Sequence, residues 1–312
     1  MGEPIVLVTE PLEPSSLDYL RAHARLLACE PAEVAGQIGR ADGLVVRTYT
    51  RVDAALLDRA ERLKVVGRAG VALDNIDLSA CRARGVEVVH TPEANTLAVV
   101  DYSLRMIIEM NRRFWPFEAA LPAADFHAVR QQTYGRFLAD CCLGIIGCGR
   151  IGSRLGRAAA GLGMRVVYND IREIAGLDFA AEPVSKARLY AESDIVSLHV
   201  PLTEATHKLV DASSLELFKP GAQLVNAARG ACVDAAALAA ALRSGRIGAA
   251  VIDCHDPEPP GPDYPLLGLE RVILTPHIAA RVPKAVQNMS DVVFDVIAVL
   301  EGRKPRYPAP PA

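Results

Sequence analysis

The chain of 312 residues is longer than one typical domain, and its 51% hydrophobic composition is enough for two buried cores. Its formal charge of −3, with 34 Lys and Arg among 37 Asp and Glu, argues against a nucleic-acid partner. No run approaches the roughly 18 apolar residues of a membrane span, and MGEPIVLVTEP is no signal peptide, so we expect a cytoplasmic protein with no membrane partner.

Short β-branched runs alternate with helical stretches over the first 95 residues. Asp53 and Asp77 are placed to cap two of the helices, and the second of these helices should end at Gly85. Each run is short enough for a buried parallel strand, which predicts βαβ order. The runs are 5–8, 44–46, 64–66 and 86–89.

Residues 97–110 predict one amphipathic helix with a domain boundary just before it. Leu97, Val100, Leu104, Ile107 and Ile108 would share its apolar face. The following stretch, to about residue 140, has little periodicity and is predicted to be partly helical.

From residue 143 the alternation of strands and helices restarts, which predicts a second and larger doubly wound sheet of six strands. A last helix, over 286–300, carries one apolar stripe and precedes a Pro-rich tail that we expect to be disordered. The six predicted strands are 143–146, 165–168, 195–199, 223–226, 249–252 and 272–275.

The strongest local signal is the sequence Gly-Cys-Gly-Arg-Ile-Gly at 147–152, a GxGxxG with a strand before it and a helix after it. Gly147 would permit a tight turn, Gly149 would admit a pyrophosphate, and Gly152 would let the helix approach the strand. The N–H groups near Arg150 and Ile151 would meet the anion.

Asp170 ends the next predicted strand, about 20 residues further on, where a carboxylate accepts ribose hydroxyls and repels the extra phosphate of NADP. This favours NAD as the cofactor. The alternative is that Asp170 only caps the following turn, and Arg172 lies close enough to accommodate a 2′-phosphate instead.

Hydride transfer to a ketone needs a proton donor, and histidine is suited to that task. Three histidines follow predicted strands at the edge where doubly wound sheets bind ligands, namely His199, His255 and His277. The sequence pattern alone does not choose among them.

The reaction also needs a cation to hold the substrate carboxylate and polarise the carbonyl, and Arg229 follows another strand at the same edge. Asp253 and Glu258 could each orient a histidine or be solvated loop acids. Seven scattered cysteines form no CxxC pair, so we expect small buried residues and no metal site.

At this point the sequence resembles the D-isomer-specific 2-hydroxyacid dehydrogenase family over most of its length. The resemblance is carried by KVVGRAGVALDNID at 64–77, GIIGCGRIG at 144–152, SLHVPLT at 197–203, KPGAQLVNAARGACVD at 219–234, DPEPP at 256–260 and VILTPHIAA at 272–280.

The resemblance implies a catalytic set of Arg229, which binds the substrate carboxylate and carbonyl, His277, the acid/base, and Glu258, its partner. Asp253 would face the nicotinamide carboxamide. Backbone N–H groups of residues 68–71 would meet the substrate carboxylate. The full implied substrate-binding set is Arg47, Arg68, Ala69, Gly70, Val71, Arg229 and His277. The cofactor-binding set adds to the glycine loop and Asp170 the residues Val71, Val200, Pro201, Ala227, Ala228, Arg229, Asp253, His277 and Ala279.

The resemblance further implies an α/β fold of two doubly wound parallel-sheet domains with a cleft between them. A flavodoxin-like substrate domain would comprise 1–96 plus 283–312, and a Rossmann NAD-binding domain would comprise 97–282. The expected partners are a small 2-hydroxy or 2-oxo acid and a second copy in a homodimer.

Within the family, GRAGVALDNID and VNAARG are most similar to phosphoglycerate dehydrogenases, here as a short form without a regulatory domain. Ala72 and Ala231 replace frequent glycines, and Cys254-His255-Asp256 replaces an apolar and aromatic stretch. The expected substrates therefore include 3-phosphoglycerate, hydroxypyruvate and glyoxylate, without a choice among them.

Two other functions compete with this one. An NADH-sensing scaffold, like the C-terminal-binding corepressors, could retain Arg229, Glu258 and His277, although the chain shows no long charged extension for partner docking. An L-hydroxyacid or alcohol dehydrogenase is disfavoured because the glycine loop begins near residue 147 and not near the N-terminus.

Overall fold

The computed structural model describes residues 2–112, 119–132 and 135–310. The chain divides into two compact units. The first is Met1–Thr96 with Ala280–Ala312, and the second is Leu97–Ala279.

The first unit is built on a parallel sheet with the strand order β2-β1-β3-β4-β5. This order is that of flavodoxin-like folds, as predicted. The sequence pattern missed β2, a short strand at the sheet edge whose side chains are only partly buried. The strands are β1 (Ile5–Val8), β2 (Arg25–Ala28), β3 (Gly43–Val46), β4 (Val65–Arg68) and β5 (Glu87–His90).

Four helices follow these strands: α1 (Pro14–His23), α2 (Val34–Gln37), α3 (Ala54–Leu57) and α4 (Leu78–Ala83). The two predicted caps are confirmed, because Asp53 accepts a hydrogen bond from the Leu56 N–H at 3.0 Å and Asp77 accepts one from the Ala80 N–H at 2.8 Å. Gly85 has a φ of +67°, the left-handed conformation expected just beyond a helix end.

The second unit holds a seven-stranded parallel sheet in the order β12-β11-β10-β9-β6-β7-β8. The six predicted strands are confirmed with shifted ends, and β8 is an additional two-residue edge strand. The strands are β6 (Cys142–Ile146), β7 (Arg165–Asn169), β8 (Glu182–Pro183), β9 (Ile195–Leu198), β10 (Ala222–Asn226), β11 (Ile247–Ile252) and β12 (Val272–Leu274).

The helices of this part of the chain are α5 (Thr96–Asn111), α6 (Ala123–Gln131), α7 (Arg150–Gly161), α8 (Lys186–Glu192), α9 (Ala212–Leu215) and α10 (Ala235–Arg243). The partial helix predicted before residue 140 is confirmed at α6, while residues 113–118 and 133–134 lie outside the described residues. Strands β6, β9 and β10 are buried along their whole length, so the core runs through the middle of the sheet.

The apolar face predicted for α5 is wrong at two positions. Leu97 is 66% exposed and Ile108 is 41% exposed, whereas Val99 and Met106 are buried. The helix carries apolar residues on more than one side, and periodicity does not say which side is covered.

The C-terminal segment returns to the first unit as two helices, α11 (Pro283–Ser290) and α12 (Val292–Leu300), where one was predicted. Helix α12 packs on the sheet so closely that a Cβ at Gly67 in β4 would overlap the side chain of Val296. The break between the helices is at Asp291, where ψ rises to −4°.

The expectation of a disordered tail is wrong for the residues up to 310. Val89 in β5 forms an antiparallel bridge with Pro308, and the N–H of Ala309 donates to Val88 O at 2.7 Å. The carboxylate of Asp295 accepts from the N–H of Arg306 at 2.8 Å. Proline has no backbone N–H to donate. It is tolerated here because the segment lies at a sheet edge, where the neighbouring residues donate the hydrogen bonds. No described helix is both long and apolar enough to cross a membrane.

Candidate active site

The glycine loop joins β6 to α7 as the sequence predicts. Gly147 has a φ of +91°, and a Cβ there would lie 2.5 Å from the His199 carbonyl oxygen. A Cβ at Gly152 would overlap the Gly147 carbonyl oxygen. At Gly149 the nearest atom would be Nη2 of Arg172 at 3.6 Å, so this surface of the loop has room for a ligand. The arrangement fits the pyrophosphate of a dinucleotide at the start of α7.

Cys148 lies inside this loop and is 2% exposed. Burial raises the pKa of its thiol to about 11, so the thiol stays protonated at neutral pH. All seven cysteines are free thiols, and all but Cys29 are buried. Within the described ranges, no cluster of three or more His, Cys, Asp or Glu residues could hold a metal.

Asp170 follows β7 and its side chain is 6% exposed. One carboxylate oxygen accepts from the N–H of Cys148 at 2.9 Å, and the other accepts from the N–H of Arg172 at 2.9 Å. Nε of Arg172 lies 3.4 Å from the same carboxylate. Asp170 therefore fixes the glycine loop as well as its own turn. The alternative that it only caps the following turn explains only part of its contacts.

The strand order places the other candidate side chains at one edge of the sheet. Arg229 follows β10, Glu258 lies in the loop after β11, and His277 follows β12, and these strands are neighbours. The chain changes direction between β9 and β6, where the Gly147 turn meets the carbonyl of His199. Ligands of doubly wound folds bind at such a switch point.

His277 and Glu258 form a hydrogen-bonded pair. Nδ1 of His277 lies 2.7 Å from Oε1 of Glu258, and the His277 side chain is 32% exposed. Burial raises the pKa of Glu258, but the hydrogen bond and charge of His277 outweigh it, and the net pKa is below its ordinary value. Glu258 is therefore ionised at neutral pH and stabilises the imidazolium of His277.

His277 has a left-handed backbone with a φ of +55°. Its N–H donates to the carbonyls of Asp253 at 2.8 Å and Thr275 at 3.0 Å. The buried Asp253 carboxylate accepts from the N–H groups of Ile278 and Ala279 at 2.8 and 2.9 Å. These bonds hold a conformation that is costly for a residue other than glycine.

The structure separates the three histidines that the sequence could not. Burial lowers the pKa of His199 to about 4, so that ring is neutral at physiological pH. His255 is 7% exposed, and its Nε2 lies 2.9 Å from the Thr275 carbonyl oxygen. His277 combines partial exposure with a carboxylate partner, which is what a general acid requires.

Arg229 is half-buried, and its Nη1 donates to the Ala228 carbonyl at 2.6 Å, which orients the guanidinium. The amide of Asn226 braces the same loop by donating to the Arg229 carbonyl at 2.9 Å. A Cβ at Gly230 would overlap the backbone of His255, so glycine permits the Arg229 loop to lie against the loop that leads to Glu258.

In the first unit, contact between the backbone N–H groups of residues 68–71 and a substrate carboxylate stays a prediction. The N–H of Ala69 donates to Val46 O and that of Gly70 donates to Arg68 O, both at 2.8 Å. The first of these bonds extends the pairing of β4 with β3 by one residue, and the second closes a tight turn within the chain. Arg47 and Arg68 are both buried, and Val71 is half-buried.

The remaining predicted cofactor residues lie at the carboxyl edge of the second sheet. Val200 and Pro201 follow β9, Ala227 and Ala228 follow β10, and Ala279 is buried beside Asp253. Their contact with NAD stays a prediction, as does that of Asp253 with the carboxamide.

Sequence reasoning missed Thr275 and Tyr102. The hydroxyl of Thr275 donates to Asp253 at 2.6 Å and lies 2.5 Å from the Tyr102 hydroxyl. The only sequence signal for Thr275 is its place two residues before His277, at the end of a strand.

Residues 104–279 match the family model described as the D-isomer specific 2-hydroxyacid dehydrogenase, NAD binding domain. The D-3-phosphoglycerate dehydrogenase of Archaeoglobus fulgidus is 33% identical over 304 residues, which covers 95% of this chain and 57% of that protein. The chain thus spans about half the length of the curated relatives it matches.

Two solved structures have the same fold. A protein from Thermus thermophilus is 35% identical with a TM-score of 0.86, and the match covers 98% of this chain and 100% of that one. A D-lactate dehydrogenase from Aquifex aeolicus, complexed with NAD and lactic acid, is 27% identical with a TM-score of 0.83 and 96% coverage of each chain. The extent of these matches and the motifs on the second unit show that the chain belongs to the D-isomer specific 2-hydroxyacid dehydrogenase family.

Proposed function

We propose that the chain is an NAD-dependent oxidoreductase that interconverts a 2-oxo acid and its D-2-hydroxy acid. The proposal is carried by the 2.7 Å contact between His277, which follows β12, and Glu258, which lies in the loop after β11. Arg229 follows β10, the neighbour of β11 in the sheet. A proton donor and a guanidinium at one sheet edge are the groups that reduction of a 2-oxo acid needs.

The second unit's residues fit a dinucleotide, because Gly149 leaves room at the start of α7 and Asp170 follows the next strand. A bound nicotinamide would supply the hydride for reduction and accept it in oxidation. The loop N–H groups and the dipole of α7 would hold its pyrophosphate, and Asp170 would accept from the ribose hydroxyls.

Arg229 binds the substrate carboxylate with two parallel N–H contacts and polarises the carbonyl oxygen. The imidazolium of His277 gives its Nε2 proton to that oxygen as negative charge develops there. Glu258 stays ionised and stabilises the imidazolium before the transfer. In oxidation the neutral imidazole takes the hydroxyl proton, and the same pair runs in reverse.

The substrate belongs to the group that the relatives' names describe. Phosphoglycerate, lactate and glyoxylate enzymes all occur among the similar proteins. We propose 3-phosphoglycerate, hydroxypyruvate or glyoxylate for this chain. The homodimer and the cytoplasmic location stay predictions.

The proposed activity is tested by NADH oxidation with hydroxypyruvate, glyoxylate and pyruvate, and by NAD reduction with 3-phosphoglycerate. Turnover of at least one of these compounds that is lost in His277→Gln supports the proposal. Tight NADH binding without turnover of any of them would favour the scaffold function instead.

We predict that NADH binds at least about fivefold more tightly than NADPH. A carboxylate about 4 Å from a 2′-phosphate repels it by about 1 to 4 kcal/mol, depending on the local dielectric. Fluorescence titration of both cofactors measures the ratio. Equal affinities would mean that Arg172, whose Nε lies 3.4 Å from Asp170, governs this pocket, and Arg172→Ala should then restore the preference for NADH.

A further inference from the structure

The carboxylate of Glu10 lies in a concave run of backbone N–H groups in the first unit. Oε1 accepts from the N–H groups of Arg47, Tyr49 and Thr50 at 2.9, 3.1 and 3.2 Å. Oε2 accepts from the N–H of Thr48 at 2.8 Å. Four successive N–H groups directed at one carboxylate form an anion site, which we call the 47–50 nest, and the chain fills it with its own side chain.

The nest occupies a particular place in the fold. Glu10 follows β1 and the 47–50 loop follows β3, and these two strands are neighbours in the order β2-β1-β3-β4-β5. The chain reverses its direction of winding between them, which is where folds of this order bind ligands. Glu10 is 8% exposed, so the chain's own carboxylate fills the nest beside this switch point.

The opposite side of the same loop is held by Asn75. Its amide donates to the carbonyls of Arg47 at 3.0 Å and Thr50 at 2.7 Å. The hydroxyls of Thr9 and Thr50 lie 2.6 Å apart. The loop is therefore held on both sides, by Glu10 at its N–H groups and by Asn75 at the carbonyls of Arg47 and Thr50.

This loop carries Arg47, whose side chain is directed inward. Arg47 is 7% exposed, and its Nη1 donates to the Pro11 carbonyl at 3.2 Å, one residue beyond Glu10. Burial lowers the pKa of Arg47, and the positive charge of Arg281 lowers it further. A buried guanidinium near a second guanidinium favours binding of an anion.

We infer that Glu10 is a positioning residue, whose carboxylate fixes the 47–50 loop and thereby holds the Arg47 guanidinium in place for an anionic group of the substrate. The inference rests on the proposed function and adds a residue that does not itself touch substrate. Glu10 should therefore act on substrate affinity through Arg47 and leave the chemical step, carried by His277 and Arg229, unchanged.

The test compares Glu10→Gln, Glu10→Asp and, as a control, Glu61→Gln, which changes an exposed carboxylate of the same unit. Glutamine offers one acceptor oxygen and turns an NH₂ group toward the loop N–H groups. We expect Glu10→Gln to raise KM for the 2-oxo acid about tenfold with kcat and NADH affinity nearly unchanged. Glu10→Asp keeps the charge and should recover most of the loss.

A double-mutant cycle with Arg47→Ala decides whether the effect passes through Arg47. Glu10→Gln should add nearly nothing to KM once Arg47 is removed. An equal tenfold rise in the Arg47→Ala background would overturn the inference, and so would an unchanged KM in Glu10→Gln alone. If Glu10→Gln does not fold, the same cycle with Glu10→Asp carries the test, with a smaller rise.

Hydrogen exchange of the amides at residues 48–50 gives a measurement that does not depend on turnover. We expect these amides to be protected in the wild type and to exchange faster in Glu10→Gln but not in Glu61→Gln. Unchanged protection would overturn the inference. Faster exchange in Glu10→Gln, when the wild-type chain turns over no 2-oxo acid, would count against the proposed function but would show that Glu10 fixes the 47–50 loop.

Discussion

Arg229→Lys is expected to lower kcat/KM for the 2-oxo acid about 30- to 1000-fold, which corresponds to about 2 to 4 kcal/mol of transition-state stabilisation. An ammonium cannot make the two parallel contacts that a guanidinium makes with a carboxylate. NADH affinity should fall much less than kcat/KM, because the glycine loop and Asp170, which are predicted to hold the pyrophosphate and ribose, lie at the ends of β6 and β7 and are unchanged. Steady-state kinetics and NADH titration of the same preparation measure both quantities.

Arg246→Lys is the matched control for this substitution. Arg246 is an arginine of the same unit, and its Nε donates to the Leu215 carbonyl at 3.2 Å. The Arg246→Lys substitution therefore measures how much activity is lost when an arginine outside the proposed site is replaced by lysine. Its kcat/KM should remain within about twofold of the wild type. A near-normal kcat/KM in Arg229→Lys would show that Arg229 does not hold the substrate.

Glu258→Gln should move the pH profiles of both reaction directions to lower pH by roughly one unit or more. The pKa of Glu258 is already lowered, so its carboxylate is ionised across the neutral range and does not itself produce a limb there. Reduction needs the imidazolium form of His277, so kcat/KM for reduction falls as pH rises. Without the carboxylate the imidazolium is less stable, so the fall begins at lower pH. The rising limb of oxidation, which needs the neutral imidazole, moves the same way.

The profiles are measured as kcat/KM against pH in both directions with the cofactor saturating. Asp256→Asn is the control, because it removes an exposed carboxylate from the same turn without touching the pair. Its limbs should stay in place. If the limbs of Glu258→Gln stay fixed or move to higher pH, Glu258 is not the carboxylate partner of His277. Asp253 or Asp256 would then be the candidate for that role.

Local sequence signals predicted the features that local physics determines. The turn at Gly147, the approach of α7 at Gly152 and the caps at Asp53 and Asp77 each depend on a few neighbouring residues. The central strands were found because burial on both faces makes them continuously apolar.

Features that depend on distant residues could not be read in this way. His199, His255 and His277 all follow strands, and only burial and the position of Glu258 distinguish them. The ordered tail depends on a free edge of β5, and Glu10 depends on a loop more than thirty-five residues away. These pairs of distant residues produce no periodicity or fixed spacing that could be recognised in the sequence.

The sequence also did not show that the sheet continues past the end of β4. A loop that follows a strand was expected to present its N–H groups, but β4 continues its pairing through the Ala69 N–H to Val46. Where the pairing of a strand ends depends on the length of the adjacent strand, and the sequence of one strand alone does not give that length.

We propose that NADH reduces a 2-oxo acid to one enantiomer of the 2-hydroxy acid with the help of the residues at the carboxyl edge of the second sheet. The most direct measurement incubates the chain with NADH and each 2-oxo acid and resolves the product by chiral chromatography. We expect the D-2-hydroxy acid from at least one substrate, and no product from His277→Gln although NADH still binds. An L product, or D product formed equally well by His277→Gln, would contradict it.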